Sequence, residues 1–266
     1  MAAADLFDLT GKVGLVTGAN SGLGFGFASG IAKCGGDVVV WGRRKDKNEE
    51  AAESLLEMGA GRVHTQSVDV SAEEQVVAGM VEAVEVMGRV DGVVANAGMG
   101  SGAPFHEMTT ETYMAMIAVA QHGGFFTLRE AVKHMKARAD AGDPGGSLIA
   151  CGSLTIFQGH AGLQHYAAAK GAMASMVRSI AVEYGGDGIR ANMVIAGLFR
   201  TAMLDNAPQE MLDDIQGVLA EKAPIPRWGN PSEIEGITAY LMSDAASYHT
   251  GDVIVLDGGQ SIVTLA

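Results

Sequence analysis

Tyr166 and Lys170 stand four residues apart in Tyr166-Ala-Ala-Ala-Lys170. On a helix that spacing puts both side chains on one face. A phenol keeps its proton at neutral pH and can deliver it to an oxygen that is gaining negative charge. A neighbouring ammonium favours the phenolate, the form that can take a proton back. Ser153 lies thirteen residues before the tyrosine, and its hydroxyl can hold a substrate oxygen by a hydrogen bond. The three together suit proton transfer to and from the oxygen of a carbonyl or an alcohol. Alone, Tyr-x-x-x-Lys recurs by chance in many helices, so its weight depends on what accompanies it. Serine-nucleophile hydrolysis is disfavoured, because Cys151-Gly-Ser-Leu-Thr155 lacks the Gly-x-Ser-x-Gly elbow.

The companion is a glycine-rich turn, Thr17-Gly-Ala-Asn-Ser-Gly-Leu-Gly24, directly after the apolar run Lys12–Thr17. Gly18, Gly22 and Gly24 let the backbone turn sharply and approach a pyrophosphate. Asn20, Ser21 and Leu23 fill the loop, and the helix that follows offers free N–H groups and a positive dipole end. The Lys-Ser/Thr pair of a triphosphate-hydrolysing loop is missing. In such a unit the second strand ends near the adenine ribose, where a carboxylate would select NAD. Here it ends Val40-Trp41-Gly42-Arg43-Arg44-Lys45. No carboxylate stands there, and guanidinium groups suit a 2′-phosphate. The expectation is NADP(H), held by Arg43 first and Arg44 second, with NAD(H) as the alternative. A solvated basic turn is the plain reading of the same residues.

These groups need a frame. Short β-branched runs at Lys12–Thr17, Asp37–Trp41, Arg62–Ser67, Asp91–Ala95, Ser147–Cys151, Arg190–Ile195 and Val253–Leu256 alternate with helical patterns. Runs of that kind fit strands buried on both faces. Ser71-Ala-Glu-Glu74 has the form of a capping box opening a helix toward Met87. Asn230-Pro231 opens another to about Met242, and Gln164–Tyr184 carries good helix formers. The order predicts an α/β, doubly wound, Rossmann-type fold: a seven-stranded parallel sheet with helices on both faces, in one domain of residues 1–266. The stretch 198–228 is too long for a simple connection. Its Met203, Leu204, Met211, Leu212, Ile215 and Leu219 form an amphipathic set, read either as a substrate lid or as a surface helix.

The formal net charge is −13, which disfavours nucleic acid and anionic membranes as partners. Cys34 and Cys151 lie far apart without metal-site neighbours, and no metal is expected. No secretory signal or membrane-spanning run is visible, so the expected location is the cytoplasm.

The ordered motifs resemble the short-chain dehydrogenase/reductase family over about residues 9 to 260. They are the Thr17–Gly24 loop, Asn96-Ala97-Gly98 after the fourth strand, Ser153, and Tyr166 with Lys170. Asp69-Val70 matches the adenine-contacting position and Asp257-Gly-Gly259 the ending of the last strand. Within the family the likeness is to carbonyl reductases and 3-oxoacyl-carrier-protein reductases. It implies hydride transfer between a nicotinamide cofactor and a carbonyl or alcohol. Tyr166 would be the acid/base and Ser153 would polarise the substrate oxygen. Lys170 would hold the nicotinamide ribose and favour the tyrosine phenolate. Gly197, Phe199 and Thr201 would complete the cofactor site. The resemblance also implies a homotetramer, paired through helices at about Thr110–Ala137 and Gln164–Tyr184.

Two positions depart from the family pattern. Gln121 stands where an asparagine usually helps hold a water behind the lysine. A glutamine can keep the backbone part of that role, or His122 can reroute the relay. Ala196-Gly197 replaces Pro-Gly, removing a ring that fixes one backbone angle. Substrate contacts are expected from Leu154, Thr155, His160, Leu163 and Met203, which points to a small, apolar ketone or secondary alcohol. The competing reading is a nucleotide-binding module or sensor with little turnover.

Overall fold

The apolar runs become strands because both of their faces are covered. The computed structural model describes residues 6–201 and 209–262. In chain order they form β1 (Val13–Thr17), α1 (Gly22–Ala32), β2 (Asp37–Gly42), α2 (Lys45–Glu57), β3 (Val63–Ser67), α3 (Glu73–Met87), β4 (Gly92–Ala95) and α4 (Thr110–Ile117). Then follow α5 (Gly123–Asp140), β5 (Gly146–Ser153), α6 (Gln164–Tyr184), β6 (Ile189–Ala196), α7 (Gln209–Lys222), α8 (Glu235–Met242) and β7 (Val253–Leu256). The seven strands make one parallel sheet in the order β3-β2-β1-β4-β5-β6-β7.

Alternation along each strand divides the apolar residues between two cores. Val13, Leu15, Val39, Trp41 and Val93 face α3, α5 and α6, against Met80, Leu128, Met135, Met173 and Val177. Val16, Val38, Val40 and Val94 face α1, α2 and α8, against Phe27, Ile31, Leu55, Leu241 and Met242. Each large side chain so buried contributes about 1.5–3 kcal/mol. A third, small cluster of Met116, Ile117, Ala120 and Ala169 packs against Met99 and Tyr166. That cluster seats the tyrosine ring.

Local chemistry decided some boundaries differently from the sequence pattern. The Ser71–Glu74 capping box does not form: α3 begins at Glu73, with Ala72 as an uncapped N-cap. Ser71 Oγ instead donates to Asp69 Oδ1 at 2.7 Å, while Asp69 N donates to Gln75 Oε1 at 2.9 Å. The helix starts one residue later than the box requires, so Ser71 falls outside the cap and sits in a turn closed on Asp69 Oδ1. At Asn230 the box is present, with Ser232 N donating to Asn230 Oδ1 and Asn230 N to Glu233 Oε2. It opens a 3-10 turn, Pro231–Ile234, that runs into α8. In 198–228, α7 buries Leu212 and Leu219. Met203 and Leu204 lie outside the described residues.

Candidate active site

The strand order reverses between β1 and β4, and parallel sheets bind ligands beyond the carboxyl ends of the strands at such a point. A cleft of about 800 Å³ opens there. Gly18, Asn20, Ser21, Gly22, Leu23 and Gly24 line one end of it, with Arg43, Arg44, Asp69 and Val70. Ser153, Tyr166 and Lys170 line it with Gly197, Phe199 and Thr201. One cleft therefore gathers the glycine loop, the basic strand tip and the reactive trio.

Gly18 and Gly22 have φ of +68° and +54°, which disfavours side chains there. Gly24 is needed for closeness: a Cβ on it would overlap Gly18 O and come 2.6 Å from Asn96 Nδ2. The loop and the start of α1 thus form a bare backbone cradle that side chains would fill, which suits a pyrophosphate. Thr17 fastens it to β4. Its Oγ1 accepts from Asn96 N at 3.0 Å and Ala97 N at 2.9 Å, and Asn96 Nδ2 donates to Thr17 O at 2.9 Å. The Asn96 amide is thereby engaged in bracing the loop.

At the tip of β2 the Trp41 ring is fully buried and donates to Gln66 Oε1 at 2.6 Å. Asn48 ties the tip down, donating to Gly42 O and Gln66 O and accepting from Asn20 Nδ2 at 2.7 Å. The first side chains free to face a ribose are Arg43 and Arg44, both exposed. The Ser71 hydroxyl holds the Asp69 carboxyl below the usual carboxylate range, and the Arg43 charge acts in the same direction. Arg43, Arg44 and Asp69 thus meet at one end of the cleft.

Lys170 is 4 % exposed, and its Nζ lies 5.6 Å from the Tyr166 ring centroid. Nζ donates to Cys151 O at 2.6 Å, which leaves two N–H bonds for the cleft. β5 ends at Ser153, level with Ala196 on β6. Ser153 Oγ accepts from Thr155 N at 3.3 Å, so its own proton is free to donate. Burial pushes the Cys151 thiol up against the pull of Lys170.

The segment between serine and tyrosine is used differently from expectation. Leu154 is buried in the main core and Thr155 is also buried, and neither lines the cleft. The 3-10 turn Leu154–Ile156 directs them inward. His160 is exposed and outside the lining, whereas Leu163 is part of it. Met203 is not among the described residues. The lining also includes Met99, Ser101, Met116, Val119 and Trp228, which sequence reasoning missed. Ser101 and Met99 follow Asn96-Ala-Gly98 closely, and that proximity was the available signal. Among the described residues no His, Cys, Asp or Glu group could hold a metal, and no helix is long and apolar enough to cross a membrane.

A family profile described as "Enoyl-(Acyl carrier protein) reductase" matches residues 18–261. The chain is 33% identical over 253 residues to a cis-4-hydroxycyclohexanecarboxylate dehydrogenase of Sinomonas cyclohexanicum, covering 95% of this chain and 97% of the relative. The chain belongs to the short-chain dehydrogenase/reductase family. It is also 30% identical over 264 residues to gluconate 5-dehydrogenase of Gluconobacter oxydans, covering 98% and 99%. The structure of an NADPH-dependent 3-quinuclidinone reductase from Rhodotorula rubra superimposes with a TM-score of 0.88 at 29% identity, covering 97% of this chain and 94% of that one. As a short-chain dehydrogenase/reductase, the protein is an NAD(P)-dependent oxidoreductase acting on alcohol and carbonyl groups.

Both departures from the family pattern have structural settings. Gln121 lies in a π-turn, Ala118–His122, between α4 and α5, closed by Gly123 N donating to Ala118 O. It is half-buried and does not line the cleft. Single π-turns inside helices are frequent at functional sites. Gly123 then passes so close to Val70 that a Cβ would come 2.6 Å from Val70 Cγ2. The turn's backbone, more than the amide length, sets this region's geometry. Gln121→Asn is therefore expected to keep kcat within about threefold of wild type, measured by ketone-dependent oxidation of reduced cofactor; a larger collapse would assign the longer amide its own role. At the second departure, Ala196-Gly197, hydrogen bonds supply restraint. Gly197 N donates to Leu256 O, Leu198 N to Gln260 Oε1 and Arg200 N to Gly229 O.

Proposed function

We propose that the protein transfers hydride between NADP(H) and the carbonyl or secondary alcohol of a small, largely apolar substrate. The observation that carries this is the buried Lys170 beneath the Tyr166 ring, in the same cleft as the glycine cradle and the Arg43–Arg44 tip. The bound nicotinamide supplies the hydride to the carbonyl carbon in reduction, or accepts it in oxidation.

The chain's own groups handle the oxygen. In reduction Tyr166 gives its phenolic proton to the oxygen as negative charge develops there. Ser153, its lone pair engaged by Thr155 N, donates to the same oxygen. Lys170 favours the resulting phenolate, and its two remaining N–H bonds hold the nicotinamide ribose. The cradle Gly18–Gly24, with Asn20, Ser21 and Leu23, holds the pyrophosphate. Asp69 and Val70 flank the adenine, while Ala97, Gly98, Gly197, Phe199 and Thr201 border the nicotinamide side. Met99, Met116, Val119, Leu163 and Leu198 favour a compact apolar body over a sugar acid. Relatives named for a cyclohexane acid and for quinuclidinone fit that choice; a gluconate relative does not.

We assign NADP(H) from the absence of a carboxylate at the β2 tip and the two exposed arginines. Arg43→Ala is expected to raise the Kd for NADPH about tenfold more than that for NADH, the scale of one lost charge-assisted hydrogen bond. Fluorescence titration with both cofactors checks it, and equal losses would overturn the assignment. The reaction itself is tested by supplying NADPH or NADH with a panel of ring ketones and following loss of reduced cofactor. Tight cofactor binding with no ketone-dependent oxidation would favour the binding-module reading.

We also propose one domain with 198–228 as its lid, a cytoplasmic location that keeps Cys34 and Cys151 as thiols, and a homotetramer. Exposed Tyr113, Met114, Phe125 and Val182 on α4, α5 and α6 support the tetramer, which sedimentation can test.

A further inference from the structure

His165 precedes Tyr166 and is fully buried. Its Nε2 lies 3.0 Å from Ser101 Oγ. Its Nδ1 is buried without a hydrogen-bond partner among the described residues. Ser101 is half-buried and lines the cleft with Met99, Leu163 and Tyr166. A second tie holds its segment to the approach of α6, where Ala103 N donates to Gly162 O at 3.2 Å.

The orphaned nitrogen decides the direction of the hydrogen bond. A ring protonated at Nδ1, as one tautomer or as the cation, buries an N–H with no acceptor. A ring protonated only at Nε2 leaves nothing but a lone pair at Nδ1. Buried orphan donors are rarer in proteins than under-used acceptors. So Nε2–H donates to Ser101 Oγ, and the serine keeps its own proton to donate. That serine borders the cleft, which is where an acceptor can reach it.

We infer that Ser101, aimed by His165, recognises a second oxygen of the substrate, distinct from the one that reacts. His165 is a positioning residue and acts through Ser101. This rests on reading the cleft as a ketone site, and it narrows the substrate to an apolar body bearing one further hydroxyl, carbonyl or carboxylate oxygen.

The test uses cyclohexane-1,4-dione and cyclohexanone as probes. Each is titrated into protein saturated with whichever oxidised cofactor binds more tightly, so that Kd is read without reduction. Wild type is expected to prefer the dione, and Ser101→Ala to reduce that preference about tenfold, the scale of one hydrogen bond. His165→Leu gives the same loss and adds nothing to Ser101→Ala, while His165→Gln, which retains an N–H donor, restores most of it. Nitrogen-15 spectra of the wild type, with His165 assigned by its loss in His165→Gln, show the proton on Nε2. An unchanged preference in Ser101→Ala, a proton on Nδ1, or failure of both ketones to bind overturns the inference. A Ser101-dependent preference without turnover in reduced cofactor leaves the inference standing and removes the hydride-transfer reading.

Discussion

Tyr166→Phe is expected to lower kcat for ketone reduction by about a hundredfold or more, the usual scale of a lost acid–base group. NADPH affinity and thermal stability are expected to stay near wild type. The reason is that the substitution removes one atom and leaves the seat intact. The ring rests on the Met116, Ile117, Ala120 and Ala169 cluster with Met99, and phenylalanine preserves that packing. The phenol's ring lies 5.6 Å from Lys170 Nζ, and Lys170 keeps its hydrogen bond to Cys151 O without it. Steady-state kinetics on a reactive ketone, beside a fluorescence titration of NADPH, separate chemistry from binding. Turnover close to wild type would remove Tyr166 from the proposed role.

Gly24→Ala is expected to be the most damaging change to the cradle. Its Cβ would overlap Gly18 O and approach Asn96 Nδ2 to 2.6 Å. Neither neighbour can yield freely. Gly18 N donates to Trp41 O at 2.7 Å, and Asn96 Nδ2 donates to Thr17 O. Overpacking of this kind costs about 1–3 kcal/mol, which in a chain of this size corresponds to a fall in Tm of about 5 °C. Displacing the loop also spoils the backbone approach to the pyrophosphate, so the Kd for NADPH is expected to rise more than tenfold. Calorimetry and cofactor titration check the two parts independently. A wild-type Tm and Kd would show that the turn has slack that its hydrogen bonds do not suggest.

Much of this protein was legible in one dimension where short-range rules apply. The seven strand runs, the glycine turn after β1, and Tyr166 one helical turn from Lys170 all follow from local periodicity and backbone sterics. The choice of Asn230 as a helix start followed for the same reason. The failures have a common origin in competition between neighbours. Ser71 lies in a turn closed on the Asp69 carboxylate, and α3 starts one residue too late for it to cap. Leu154 and Thr155 follow the reactive serine in sequence, yet a 3-10 turn sends them into the interior.

Composition, spacing and turn chemistry by themselves determined the layered α/β architecture and singled out Ser153, Tyr166 and Lys170 as candidates, and the order of the motifs implied a nicotinamide cofactor, because each depends on residues near one another in the chain. Only the tertiary structure decided what else shares their cleft. Met99, Met116, Val119 and Trp228 join the reactive trio in its lining. Gln121 lies in a π-turn outside that lining, while Ser101 within it meets a buried His165 across 64 positions of chain. Those arrangements depend on which helix packs over which strand end, and separation along the chain carries no record of that.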